Sequence, residues 1–189
     1  MNRPDLWIVR HGETEWSATG RHTGRSDITL NDRGRAAAVA LGKLVRGHRF
    51  DLVLTSPLAR ARETSALAGF GDVAALEPGL QEWDYGEYEG QTTPDIRGVR
   101  PGWTLFDDGC PGGETLGEVA DRADQVIARV RQVDGTVLAF GHGHALRVLA
   151  ARWIDATPQL GANLSLGTAT VSVLGWERET PVIERWNAT

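Results

Sequence analysis

Two short apolar runs in this chain end in the same way. Residues 6–9, Leu-Trp-Ile-Val, lead into Arg10, His11 and Gly12, and residues 136–140, Thr-Val-Leu-Ala-Phe, lead into Gly141, His142 and Gly143. Runs of this length bounded by polar residues read as buried strands. Segments of helical spacing lie between them, and strands alternating with helices make a mostly parallel sheet with helices on its faces. In open α/β sheets, ligands collect in the crevice outside the carboxyl ends of the strands. Two histidines and an arginine are therefore expected at one sheet edge, with Gly12 letting the backbone turn sharply. A guanidinium grips oxyanions and an imidazole attacks or shuttles protons, so the pairing suits an anionic substrate. Taken alone, the tripeptide Arg10-His11-Gly12 is equally compatible with a surface loop.

After the first strand, residues 17–29 read as a polar, glycine-punctuated loop long enough to be functional. Asn31 offers an N-cap to a helix running to about Arg46, with Val39, Leu41, Leu44 and Val45 apolar. Residues 51–55 form the next buried strand. Ser56 as N-cap and Pro57 at the first helical position then open a helix over residues 58–68. Its first turns hold Arg60 and Arg62 beside free backbone N–H groups, a natural anion site, and their spacing lets at most one reach a cleft. Residues 73–76 make a short third strand. The acidic and aromatic segment 79–113, with a short helix over 92–100 and a loop over 102–113, is expected to lie over the strand ends as a lid-like insertion. Residues 114–133 form the longest helix, with a core stripe of Leu116, Val119, Ala123, Val126, Ile127 and Val130. A helix over 145–154, with Arg147 in an early turn, follows His142. Residues 168–176 and 181–186 close the chain as a hairpin.

The 189 residues suit one domain, and a net charge of −5 argues against a general nucleic-acid or anionic-membrane binder. Cys110 is the only cysteine, which excludes an internal disulfide and a cysteine-based zinc cluster. No apolar run approaches membrane-spanning length and no secretory apolar region precedes the first strand, so a cytoplasmic protein is expected. Two histidines alone suggest a metal, but zinc sites take three or four ligands and no His-x-x-x-His spacing occurs, so no metal is expected. No Gly-x-Ser-x-Gly elbow serves a serine hydrolase. A nucleophilic or acid–base histidine set among arginines suits phosphoryl transfer, where positioning and charge stabilisation do most of the work.

Five stretches then follow one another in a telling order: Arg10-His11-Gly12-Glu13-Thr14-Glu15-Trp16, Arg21-His22-Thr23-Gly24, Thr55-Ser56-Pro57-Leu58-Ala59-Arg60-Ala61-Arg62-Glu63-Thr64, Trp83-Asp84-Tyr85-Gly86-Glu87-Tyr88-Glu89-Gly90 and Gly141-His142-Gly143. In these the chain resembles, over essentially its whole length, the histidine phosphatase superfamily in its phosphoglycerate-mutase-like branch. Residues 108–114 and 142–147 are most similar to the acid phosphatases and sedoheptulose-1,7-bisphosphatases of that branch. The resemblance implies a three-layer α/β/α sandwich around a central, mostly parallel sheet. It also implies metal-independent hydrolysis of small phosphate monoesters, sugar phosphates or bisphosphates among them, with no cofactor.

The same resemblance assigns roles. His11 would take the phosphoryl group as a phosphohistidine, with Arg10, Arg60 and His142 cradling the phosphoryl oxygens. Glu82 would protonate the leaving alkoxide and then take a proton from the attacking water. Thr23 and Gly24 match a phosphate-contacting turn, and Gly143 follows the second histidine in that motif. Ser17 stands where many members have asparagine. His22, Trp83, Tyr85 and Arg147 are candidates for holding the rest of the substrate, although Trp83 and Tyr85 read equally well as core and His144 reads as structural.

A mutase must shield its phosphohistidine from water, and mutases of this family carry a longer insertion and a lysine-bearing C-terminal tail. This chain has no lysine after Lys43, so a phosphatase is expected. A cofactor-dependent phosphoglycerate mutase and a phospho-ligand-binding module without turnover are the alternatives. The expected partner is a small phosphorylated metabolite, neither nucleic acid nor membrane, with homo-oligomerisation left open.

Overall fold

The computed structural model describes residues 3–189. β1 (Asp5–Arg10) leads to the four-residue α1 (Glu15–Ala18), which Thr14 and Ser17 close with reciprocal side-chain-to-backbone bonds. α2 (Asp32–Val45) is capped by Asn31, whose side chain accepts from the Gly34 N–H. β2 (Leu52–Thr55), α3 (Ala59–Leu67) and β3 (Ala75–Leu76) follow. Beyond them come α4 (Thr93–Val99), α5 (Leu105–Asp108), α6 (Leu116–Val130), β4 (Thr136–Gly141) and α7 (Gly143–Trp153). β5 (Val171–Glu177) and β6 (Thr180–Ala188) complete the chain.

The strands form one sheet in the order β3-β2-β4-β1-β5-β6. β3, β2, β4 and β1 are parallel, whereas β5 runs antiparallel to β1 and β6 antiparallel to β5. Strand periodicity separates two cores. On one face Leu6, Ile8, Leu54, Val137 and Ala139 meet the apolar stripe of α6, including Val119, Val126 and Val130, and Leu146, Leu149 and Trp153 of α7. On the other, Val9, Val53, Leu138 and Phe140 meet Leu41 and Val45 of α2 and Ala68 just past α3. The result is the expected α/β/α sandwich with a mostly parallel central sheet.

Four local expectations change. The loop over 17–29 overlaps α1, and the loop over 102–113 contains α5. The third strand keeps only Ala75 and Leu76, because the N–H groups of Val73 and Ala74 both turn back to the Phe70 carbonyl. α7 begins two residues earlier than expected, at Gly143. Within segment 79–113, Leu80, Trp83, Tyr85, Ile96, Trp103, Leu105 and Phe106 are buried in the larger core. Burying side chains of this size stabilises the fold by roughly 1.5–3 kcal/mol each, so these residues anchor the segment in the larger core. No helix among the described residues is long and apolar enough to cross a membrane.

Candidate active site

The parallel register sets the site. Arg10 of β1 lies opposite Gly141 of β4, so His11 and His142 leave adjacent strand ends at one level, their ring centroids 5.1 Å apart. Gly12 is required here for close approach, because a Cβ on it would come within 2.5 Å of the Gly34 carbonyl oxygen. Its φ is not positive, so the sharp turn expected at Gly12 uses no left-handed backbone, and the close approach to Gly34 is what requires glycine. The Gly12 N–H donates to Thr64 Oγ1 at 2.9 Å.

His11 is buried, and its Nδ1 lies 2.7 Å from the Gly12 carbonyl. A carbonyl only accepts, so Nδ1 carries the proton and Nε2 has a free lone pair. Burial, then Arg10 and Arg60, hold its pKa well below the ordinary histidine value. His142 is wholly buried and pushed the same way by burial and by Arg60. Arg60 Nε donates to His142 Nδ1 at 3.0 Å, so the neutral ring is protonated at Nε2, which donates to Ser56 Oγ at 2.8 Å.

Arg60 is itself fully buried and also donates to the carbonyls of Ser26, Thr23 and Gly24 at 2.9, 2.8 and 3.0 Å. Glu89 accepts the N–H groups of Gly24 and Ser26 and pins the same turn. Arg10 Nη1 donates to the Leu166 carbonyl, while its buried Nε has no partner among the described residues. Gly143 makes room for that guanidinium, since a Cβ there would lie 3.3 Å from Arg10 Cζ. Glu82 is buried at the N-terminus of α7: Oε1 accepts from the N–H groups of Trp83 and Ala145, and Oε2 from His144. A carboxyl group 62 and 63 residues upstream thus satisfies the N–H groups of His144 and Ala145 in the first turn of this helix.

A cleft of about 270 Å³ opens over these groups. Arg10, His11, Ser17, His22, Thr23, Glu82, Tyr85, Gly143 and Arg147 line it as the sequence suggests. Four expected residues do not reach it. Arg60 and His142 lie beneath it, bonded to each other. Gly24 gives its N–H to Glu89 and its carbonyl to Arg60. Trp83 is fully buried in the core, with its indole N–H on the Glu114 carbonyl at 2.8 Å, so it lies behind the wall of the cleft. Arg62 is exposed in a larger hollow of about 550 Å³ near β3, away from the histidines.

His144, read from sequence as structural, lines the cleft, and so do Arg21 and Thr93. A signal for His144 was available: it stands three residues before Arg147 on one helix, and such pairs share a face. The Arg21–Thr92 bridge that brings Arg21 and Thr93 together is long-range and leaves no local trace. Among the described residues, no group of three or more His, Cys, Asp or Glu side chains is placed to hold a metal ion. Burial pushes the Cys110 thiol up to about 12, so it is not a nucleophile at ordinary pH.

A mostly parallel α/β domain that presents a neutral imidazole among arginines at its strand ends defines a class: enzymes that act on phosphate esters. The comparisons give the family. Residues 6–189 match the histidine phosphatase superfamily (branch 1). An acid phosphatase of Mycobacterium tuberculosis is 40% identical over 178 residues, covering 91% of this chain and 86% of that protein. Sedoheptulose 1,7-bisphosphatase of Saccharomyces cerevisiae is 36% identical over 183 residues, covering 79% of this chain and 67% of that protein. A solved Mycobacterium tuberculosis structure superposes with a TM-score of 0.93 at 37% identity over 98% of both chains. The chain belongs to the histidine phosphatase superfamily, branch 1.

Proposed function

We propose that the chain hydrolyses small phosphate monoesters through a phosphohistidine on Nε2 of His11. One observation carries this reading: the Gly12 carbonyl accepts the hydrogen bond from Nδ1–H, which leaves the Nε2 lone pair free in a residue that lines the cleft. A neutral imidazole so oriented is a nucleophile without further activation.

In the first step Nε2 forms a bond to phosphorus as the ester P–O bond breaks. The departing oxygen takes a proton from the Glu82 carboxyl. In the second step a water gives its proton to the Glu82 carboxylate and attacks phosphorus. The P–N bond breaks, phosphate leaves, and His11 returns to its neutral form. Arg10 faces the transferring group and offsets its negative charge, while Arg60 and His142 hold the floor in register. Guanidinium groups supply the positive charge, so turnover is expected to persist in a chelator.

The names of the similar proteins, an acid phosphatase and a sugar bisphosphatase, support hydrolysis of a small phosphorylated metabolite as the activity. His11→Ala is expected to lower phenyl phosphate hydrolysis by at least about a thousandfold. The wild-type enzyme should yield an acid-labile phosphoprotein on rapid quench, and 3-phosphoglycerate should give inorganic phosphate with no 2-isomer. Chelator-resistant turnover that survives His11→Ala would refute the mechanism.

A further inference from the structure

We propose that His144, held by Tyr85, is a specificity-determining residue that reads an oxygen acceptor on the alcohol part of the substrate, either a hydroxyl or a second phosphate. The inference rests on the proposed reaction, because it takes that alcohol as the leaving group. Tyr85 belongs to the 79–113 segment and His144 to the first turn of α7, and the phenol oxygen lies 2.6 Å from His144 Nδ1.

The direction of this bond follows from the surroundings. Burial and Glu82 push the Tyr85 phenol well above its usual value, so it keeps its proton; the buried hydroxyl has no other hydrogen-bond partner among the described residues, so that proton goes to His144 Nδ1. Burial and Arg147 hold the His144 ring well below the usual histidine value, so the ring is neutral. With Nδ1 accepting, the single ring proton sits on Nε2. Among the described residues that N–H has no hydrogen-bond partner, and its residue lines the cleft.

Arg147 shares the wall. Its Nε and Nη2 are taken by the carbonyls of Gly161 and Ala162, at 2.8 and 2.9 Å, which leaves Nη1 without an acceptor among the described residues. His22 also lines the cleft, its ring centroid 6.1 Å from His144, and its buried Nε2 is unpartnered. A wall with this many unmet polar groups is built for an oxygen-rich ligand and not for an apolar one. The His144 backbone N–H goes to Glu82, so the ring can be altered while that contact is kept.

The test compares kcat/KM for phenyl phosphate, fructose 6-phosphate and fructose 1,6-bisphosphate in wild type, His144→Leu, His144→Gln, Tyr85→Phe and the double variant Tyr85→Phe/His144→Leu. The wild type is expected to favour the sugar esters over phenyl phosphate. In His144→Leu that sugar-to-phenyl ratio should fall about tenfold, mostly through KM. His144→Gln, which keeps an N–H donor, should recover part of the loss. Tyr85→Phe should lower the ratio on its own and add little in the His144→Leu background, the coupling expected of a residue that acts through another. A larger fall for the bisphosphate assigns the acceptor as a second phosphate, and equal falls for the two sugars assign it as a hydroxyl. A wild type that prefers phenyl phosphate, an unchanged ratio in His144→Leu, or additive single effects would overturn the proposal. These ratios stand apart from the His11→Ala result, so failure of the reaction scheme and failure of the subsite are read separately.

Discussion

Arg60 donates to the ring of His142 and to the carbonyls of Ser26, Thr23 and Gly24. From sequence it is an anion-binding cation at a helix start, a role that needs no other residue to be known. Its acceptors lie 34 to 82 positions away, and nothing local announces them. Lysine offers a flexible point charge and cannot reproduce the planar fork. Arg60→Lys is therefore expected to lower stability by about 2–4 kcal/mol, through buried acceptors left unpaired, seen as a lower urea midpoint at unchanged m-value. Wild-type stability in this variant would mean that the fork is dispensable. His11 was legible because its chemistry depends on one neighbour in sequence, the Gly12 carbonyl. Its depressed pKa carries an expectation of its own: the nucleophile stays neutral as pH falls through the ordinary histidine value. The pH profile of kcat/KM for phenyl phosphate, which reports the free enzyme, should accordingly show no acid limb near pH 6.5. An acid limb there that belongs to His11, traced by its proton NMR titration, would contradict the buried, arginine-flanked setting.

Between elements, the first turn of α2 packs directly on the loop that follows β1. A Cβ on Gly34 would lie 2.1 Å from the Glu13 carbonyl oxygen, and one on Gly12 would strike Gly34. Backbone meets backbone there, so neither side has a flexible side chain that can yield. Gly34→Ala is expected to cost about 1–3 kcal/mol, as overpacked sites do, and to reduce kcat, because the displaced loop carries His11. A variant with full activity and an unchanged melting temperature would show that the helix shifts freely. Helix and strand identities were readable from the chain because hydrophobic spacing is local, as the α6 stripe and the alternation of β1 and β4 demonstrate. Boundaries set from far away were not. α7 starts at Gly143 because Glu82 satisfies the N–H groups of His144 and Ala145, a cap no local window contains. β3 is cut short by the turn onto Phe70. Trp83 was ambiguous for a related reason: an indole can face a ligand or a core, and here the Glu114 carbonyl decides for the core.

Over the whole molecule, the sheet order gathers side chains from distant stretches into one polar, largely buried centre, and this couples the fold to pH. His11, His22, His142 and His144 all have pKa values held below that of a free histidine, each chiefly by burial. The unfolded chain takes up protons on these rings as pH drops below about 6.5, while the folded chain does not. Where the unfolded state binds more protons, stability rises with pH. The contribution is therefore fully present above about pH 6.5 and is lost progressively below it, by up to about 1.4 kcal/mol per pH unit for each ring. Asp95 and Glu118, held down by hydrogen bonds from Thr92 and Thr115, act in the same direction, but only below the ordinary carboxylate range. Asp5, raised by burial and by Glu184, acts in the opposite direction, so the loss between pH 6.5 and 5 belongs to the histidines. Urea unfolding at pH 7.5, 6.0 and 5.0 should show a steadily falling free energy, and His22→Gln, which removes one titrating ring, should flatten the slope. A stability curve level across that interval would mean that these rings protonate as readily in the folded protein as in the open chain, and the neutral nucleophile at the centre of the proposed reaction would lose its physical basis.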